Sequence, residues 1–144
     1  MRTVLLAVSL LMALSSIGQG SRSILTMDFV KVKNGKHQEA LYFYENNWKV
    51  YRDMALQKDY IHSYRLVTTP ADSLAQFDII LITEYADSTH LKASEERFQQ
   101  IIKELRPNGP KLLNDVKPVD FRQNLFLRQA TTVFTARQND QEQR

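Results

Sequence analysis

Along this chain, apolar residues alternate, then recur at helical spacing, then alternate again. The clearest apolar stretch runs from Phe77 to Tyr85, F-D-I-I-L-I-T-E-Y. It is rich in β-branched and aromatic residues and shorter than a typical helix, so it reads as a strand. Its middle is apolar at consecutive positions, and successive side chains point to opposite faces. Both faces of its sheet therefore need cover. Two helices can cover one face in a chain this small, and the other calls for a second subunit.

The same reading places the other elements. Ile24 to Lys33 is a first strand in which Leu25, Met27 and Phe29 alternate before the pattern slips to Val30 and Val32. A β-bulge produces such a slip, and so does a strand buried on both faces. Asn34 and Gly35, which tolerate positive φ, end it. From Lys36 to about Lys58, His37, Leu41, Tyr44, Trp48, Tyr51 and Ala55 recur at steps of three or four, the stripe of an amphipathic helix. Glu39, Glu45, Lys49, Arg52 and Lys58 fall off that stripe. Tyr60 to Thr69 is a second strand, with Tyr60, His62, Tyr64 and Leu66 on one face and Ile61, Ser63, Arg65 and Val67 on the other.

Pro70 to Ser73 forms a turn before the third strand, Phe77 to Tyr85. Asp87 or Ser88 caps a second helix whose apolar positions are Leu91, Phe98, Ile101, Ile102 and Leu105. Pro107-Asn108-Gly109-Pro110 stops it. After a loop over 111–117, Val119 to Phe134 contains the fourth strand, with Phe121, Leu125 and Leu127 on one parity and Phe126 on the other.

The two ends change the picture most. Arg2, the apolar run Val4 to Leu14 and the small, polar exit Ser15 to Gly20 read as a signal peptide cleaved after Gly20. The run is short of the ~20 residues of a membrane span. The expected product starts at Ser21, is periplasmic or extracellular, and has no membrane span. Residues 21–135 make one domain, and 136–144 are a polar tail expected to be disordered. There is no cysteine, which excludes disulfides, thiol catalysis and thiolate metal sites. The formal charge of +3 falls to +2 without Arg2, and its signs are interspersed, so nucleic acid is not an expected partner.

His37, His62 and His90 form no H-x-x-x-H or H-E-x-x-H pattern, so no sequence-local metal site is expected. There is likewise no G-x-S-x-G, phosphate-cradling glycine loop or dinucleotide fingerprint. What remains is an aromatic and polar group: Tyr44, Trp48 and Tyr51 on the first helix, and His62 and Tyr64 on the second strand. If that strand face meets the helix, the five line a cleft with apolar walls and a few polar tips, suited to a small hydrophobic or aromatic ligand. The competing reading is plain aromatic core. His62 is the candidate for moving a proton. Arg65, Glu84, Arg122 and Arg128 stand beside apolar strand positions, where they pair across a dimer or mark an exposed rim.

The order β-α-β-β-α-β is the ferredoxin-like arrangement, an α+β fold with one antiparallel sheet and both helices on one face. The run F-V-K-V-K-N-G-K (29–36), E-N-N-W-K (45–49), I-H-S-Y-R-L (61–66) and F-D-I-I-L-I-T-E-Y (77–85) together resemble the dimeric α/β-barrel superfamily, especially its small exported bacterial members. The resemblance implies a homodimer in which two sheets face each other as a barrel with the helices outside. It also implies an alternative to simple ligand binding. Relatives include cofactor-independent monooxygenases and haem-related oxidoreductases that use pocket Trp, Asn and His, and Asn47, Trp48 and His62 are similar in type. No cofactor is assigned by the sequence.

Overall fold

A computed structural model describes residues 22–134. The expected signal peptide (1–20) and polar tail (136–144) lie outside the described residues. Strands β1 (Ile24–Val32), β2 (Ser63–Thr68), β3 (Ile79–Tyr85) and β4 (Arg122–Thr131) form one sheet in the spatial order β2-β3-β1-β4. Every neighbouring pair is antiparallel, and with the helices this makes an α+β fold.

The two faces of the sheet can be read from the register. Asp28 pairs with Leu81 and Leu127, while Phe29 pairs with Ile80 and Phe126. Val30, Val32, Ile79 and Leu81 are buried with residues of the helices, which marks their column as the helix side. The opposite face carries Leu25, Met27, Phe29, Ile80, Ile82 and Phe126. There Phe29 stacks on Phe126 at 4.5 Å between ring centroids and meets Phe77 edge-on at 4.9 Å. The β3 sequence thus places apolar side chains on both faces, as its consecutive pattern demanded.

Of the two origins the sequence allowed for the slip in β1, the fold has the second, a strand with apolar residues on both faces. Register shifts between Phe29 and Val30, but Phe29 pairs with Phe126 and Val30 with Asn124, so the inserted residue is Leu125 of β4. Against β3, β1 runs without a break. β1 is apolar on both parities because both of its faces are.

The first helix spans the expected range but is not regular. It comprises α1 (His37–Phe43), a π-helical turn (Tyr44–Trp48) and α2 (Lys49–Gln57). The Lys49 amide donates to the Tyr44 carbonyl, five residues back. The Asn46 and Asn47 side chains donate to the Tyr42 and Phe43 carbonyls, each at 3.0 Å, and Arg106 Nη2 donates to the Asn46 carbonyl at 2.6 Å. These bonds serve carbonyls in a segment whose ladder is offset by one residue.

The second helix is divided at Ala93 into α3 (Ser88–Lys92) and α4 (Ser94–Leu105), and Asp87 caps α3 by accepting the His90 amide at 2.9 Å. A short α5 (Pro118–Phe121) precedes β4 and supplies the buried Phe121. Asn34 and Gly35 take φ of 55° and 66° in the turn after β1, as their side chains permit. Two core clusters result. One gathers Val30, Val32, Tyr44, Trp48, Ile79, Leu81 and Phe121; the other joins Tyr51, Ala55, Ile61, Tyr85 and Ile101, and Tyr64 packs on both.

On the face away from the helices, Glu84 accepts hydrogen bonds from Ser23 at 2.5 Å and Ser63 at 2.7 Å. Partial burial alone would raise its carboxyl, but those two hydroxyls, nearby His62 and Thr132 more than offset this and hold it below the usual 4.5. A group depressed in this way stabilises the fold above its unfolded value and loses that contribution as pH falls through its folded value. Glu84→Gln is therefore expected to be less stable than the parent at neutral pH and to lose less stability between neutral pH and about pH 4. Urea midpoints measured across that range check this; parallel curves would remove Glu84 from the acid response.

Candidate functional site

Four of the five aromatic and polar residues expected to line a cleft lie together. Tyr44, Trp48 and Tyr51 are buried, and Trp48 meets the ring of Tyr64 edge-on at 5.4 Å. The Tyr64 hydroxyl donates to Asp53 Oδ1 at 2.5 Å, while Lys49 Nζ holds the other carboxylate oxygen at 2.7 Å. His62 does not join them. It is exposed and precedes β2, whereas Ile61 is 5% exposed and sits in the core. The alternation expected through Tyr60 to Leu66 breaks there because Asp59 takes φ of 54° and the chain enters the strand only at Ser63.

Neither of two hollows described below is lined by any of the five. The first, of about 260 Å³, lies between the start of α1 and the ends of β1, β2 and β3. Val32, Leu41, Pro70 and Ile79 give it apolar walls, and His37, Thr68, Thr69 and Asp78 bring polar atoms. Asp78 is fixed because one carboxylate oxygen accepts the Val32 amide at 2.8 Å. Its other oxygen is 3.5 Å from His37 Nε2, and the His37 side chain is 63% exposed. An imidazole met at Nε2 by a carboxylate presents Nδ1 as its free nitrogen. The hollow escaped the sequence reading because its lining comes from three separate segments of chain.

The second feature surrounds Trp48. Arg52, read as off the apolar stripe, points its guanidinium inward, 4.7 Å from the centroid of Trp48 and 4.1 Å from that of Phe98. Its Nε is buried without a hydrogen-bond partner, and burial lowers its pKa to about 10, partly countered by Tyr85 and Asp28. Asp28 of β1 faces the same space. Burial raises its carboxyl above the ordinary range, against the opposing pull of Arg52 and Arg122. Arg122 Nη1 donates to the Tyr44 hydroxyl at 3.3 Å and lies over the Phe43 ring at 4.9 Å. Burial likewise raises the Tyr44 hydroxyl, with Arg122 opposing. Arg122 also borders the second hollow, of about 220 Å³, with Pro118, Val119 and Asn124. Two signals for this group were present in the sequence. Arg52 follows Trp48 by four residues, hence on one helix face, and Asp28 shares the parity of Val30 and Val32.

Among the described residues, no group of three or more His, Asp or Glu side chains is placed to hold a metal ion. Among the same residues, no helix is long and apolar enough to cross a membrane. No family model matches the chain, and no curated protein matches it.

Proposed function

We propose that the protein is an exported homodimer that holds one small, largely apolar molecule in the hollow beside His37. The observation that carries this reading is the hollow itself, with four apolar side chains and the His37–Asp78 pair at one opening. That make-up is typical of small-molecule sites, and its volume lies just below their usual range of roughly 300–1,000 Å³. The ligand is accordingly small, a single ring or a short chain. This keeps ligand binding between helix and sheet but moves it away from Tyr44, Trp48, Tyr51 and Tyr64, whose rings fill their own space.

Two observations support the dimer. The order β2-β3-β1-β4 with antiparallel pairing matches a ferredoxin-like arrangement, which makes one sheet face free for a partner. That face carries the Phe29, Phe77 and Phe126 cluster, with Phe126 40% exposed. A face-to-face pair of such sheets is the barrel that the sequence resemblance implies. The alternative of a monooxygenase or haem-related oxidoreductase using His62 with Trp48 gains nothing from the geometry, since His62 stands apart.

The test is a thermal-shift series with phenol, 4-methylphenol and hexanol on the parent chain and Leu41→Trp, which fills the hollow. A bound ligand raises the melting temperature with the logarithm of its free concentration above Kd, by about 2.7 kcal/mol of stability at a hundredfold excess over Kd. The expected result is a dose-dependent rise of several degrees in the parent and none in Leu41→Trp. No rise with any of the three, or equal rises in both proteins, removes the hollow as a binding site.

A further inference from the structure

Charges in the space beside Trp48 do not balance. Two guanidinium groups, Arg52 and Arg122, face a single carboxylate, Asp28, which leaves one positive charge over. Among the described residues, no carboxylate lies within ion-pair distance of either arginine. Arg52 is the more exacting of the two. A buried cation is normally paired, and a buried guanidinium N–H is normally hydrogen-bonded. The rings of Trp48 and Phe98 satisfy its charge in part, but they leave Nε bare.

The surroundings leave room on one side. β4 is the edge strand beside β1, and its helix-side column is Arg122, Asn124 and Leu127, opposite Val32, Val30 and Asp28. Leu127 is 48% exposed although it faces the helix side, so the helical layer stops short of β4. The hollow lined by Pro118, Val119, Arg122 and Asn124 opens at one end of this strip. An open shelf thus runs along β4 with an apolar floor at Leu127, the Asp28 carboxylate beside it, and Arg52 and Arg122 near it.

We propose that this shelf is a binding site for a small apolar monocarboxylate, whose carboxylate pairs with Arg52 and whose hydrocarbon part lies over Leu127. A guanidinium matches a carboxylate through two parallel N–H donors, which supplies the partner Arg52 lacks. A single negative charge brings the group to neutrality, whereas a dianion would reverse it and a neutral molecule would leave it uncompensated. Asp28 sets a limit on affinity, because it repels the incoming anion. This site shares no residue with the hollow beside His37 and stands on separate observations.

Trp48 is the sole tryptophan of the chain, so intrinsic emission reports on this group alone. The probe is cyclohexanecarboxylate, with cyclohexylmethanol as its neutral counterpart; neither absorbs where tryptophan does. Titration of the parent chain is expected to change Trp48 emission saturably with the carboxylate and to require at least tenfold more of the alcohol. Asp28→Asn is expected to bind the carboxylate several-fold more tightly, and Arg52→Gln at least tenfold more weakly. Leu41→Trp is unsuitable because it adds a second reporter, so Leu41→Phe, which also narrows the other hollow, should bind the carboxylate as the parent does. Absence of a saturable change in the parent, equal affinity for acid and alcohol, or unchanged affinity in Asp28→Asn overturns the proposal. The last two readings come from folded protein whatever Arg52→Gln does to stability.

Discussion

Asn47→Ala is expected to cost roughly 3 kcal/mol of unfolding free energy and to lower the melting temperature by roughly 10 °C. Asn47 has no exposed surface. Its Nδ2 donates to the Phe43 carbonyl at 3.0 Å and to the Lys111 carbonyl at 2.8 Å. Its Oδ1 accepts from the Lys111 amide at 2.7 Å and from Arg106 Nε at 3.3 Å. Alanine removes all four bonds and leaves the Lys111 amide and carbonyl, the Phe43 carbonyl and Arg106 Nε without the partner Asn47 supplied. Each such group costs about 1–3 kcal/mol when stranded, although relaxation and water recover part of it. Asn46→Ala is the control, since its single bond to the Tyr42 carbonyl lies nearer the surface, and it should cost under about 1 kcal/mol. Urea denaturation of both variants is decisive; equal losses would mean that the clamp on the loop is not what Asn47 contributes.

Ile82→Glu is expected to turn the proposed homodimer into a monomer. Ile82 lies in β3, near the middle of the face turned away from the helices, paired with Met27 of β1 and Arg65 of β2. A standard interface buries about 800 Å² on each partner, and a carboxylate forced into its apolar centre is cut off from water, a desolvation cost that the single cross-strand Arg65 offsets only in part. The side chain does not enter the helix-side core, so the isolated subunit should keep its fold. Light scattering with circular dichroism separates the outcomes. A parent of twofold chain mass and a folded variant of single mass agree with the proposal; a parent of single mass at micromolar concentration ends it.

The parts of the fold legible in the sequence are those set by local pattern. Phe77 to Tyr85 declared a strand with two apolar faces without help from its neighbours, and Tyr44, Trp48, Tyr51 and Ala55 declared a buried helix face at ordinary spacing. Asn34-Gly35 marked a turn because few other residues accept positive φ. What stayed hidden depends on partners distant in sequence. The π turn is sustained by Arg106 and Lys111, some sixty positions away, and Leu125 is an insertion only relative to β1. His62 was misplaced because strand parity was extended to residues before Ser63, where β2 begins. Arg52 was read as off the apolar stripe, although its spacing of four from Trp48 already put the two on one helix face; its contact with Phe98 appears only in the fold. At the functional level, composition could exclude thiol and nucleotide chemistry, while the hollow beside His37 exists only once α1 and the β2–β3 connection meet.

The extra residue in the turn at Tyr44–Trp48 has a mechanical consequence. Each helical residue advances the side-chain direction by about 100°, so one added residue rotates everything downstream by that amount. Upstream of it, Ala40 belongs to the cluster around Val30 and Phe121; downstream, Tyr51 and Ala55 belong to the cluster around Ile101. The insertion therefore works as a gear between two halves of one rod, aiming each half at a different neighbour. Deleting a single residue from Glu45-Asn46 would restore a regular helix and at the same time point one half the wrong way, a case in which a more ideal element makes a worse protein.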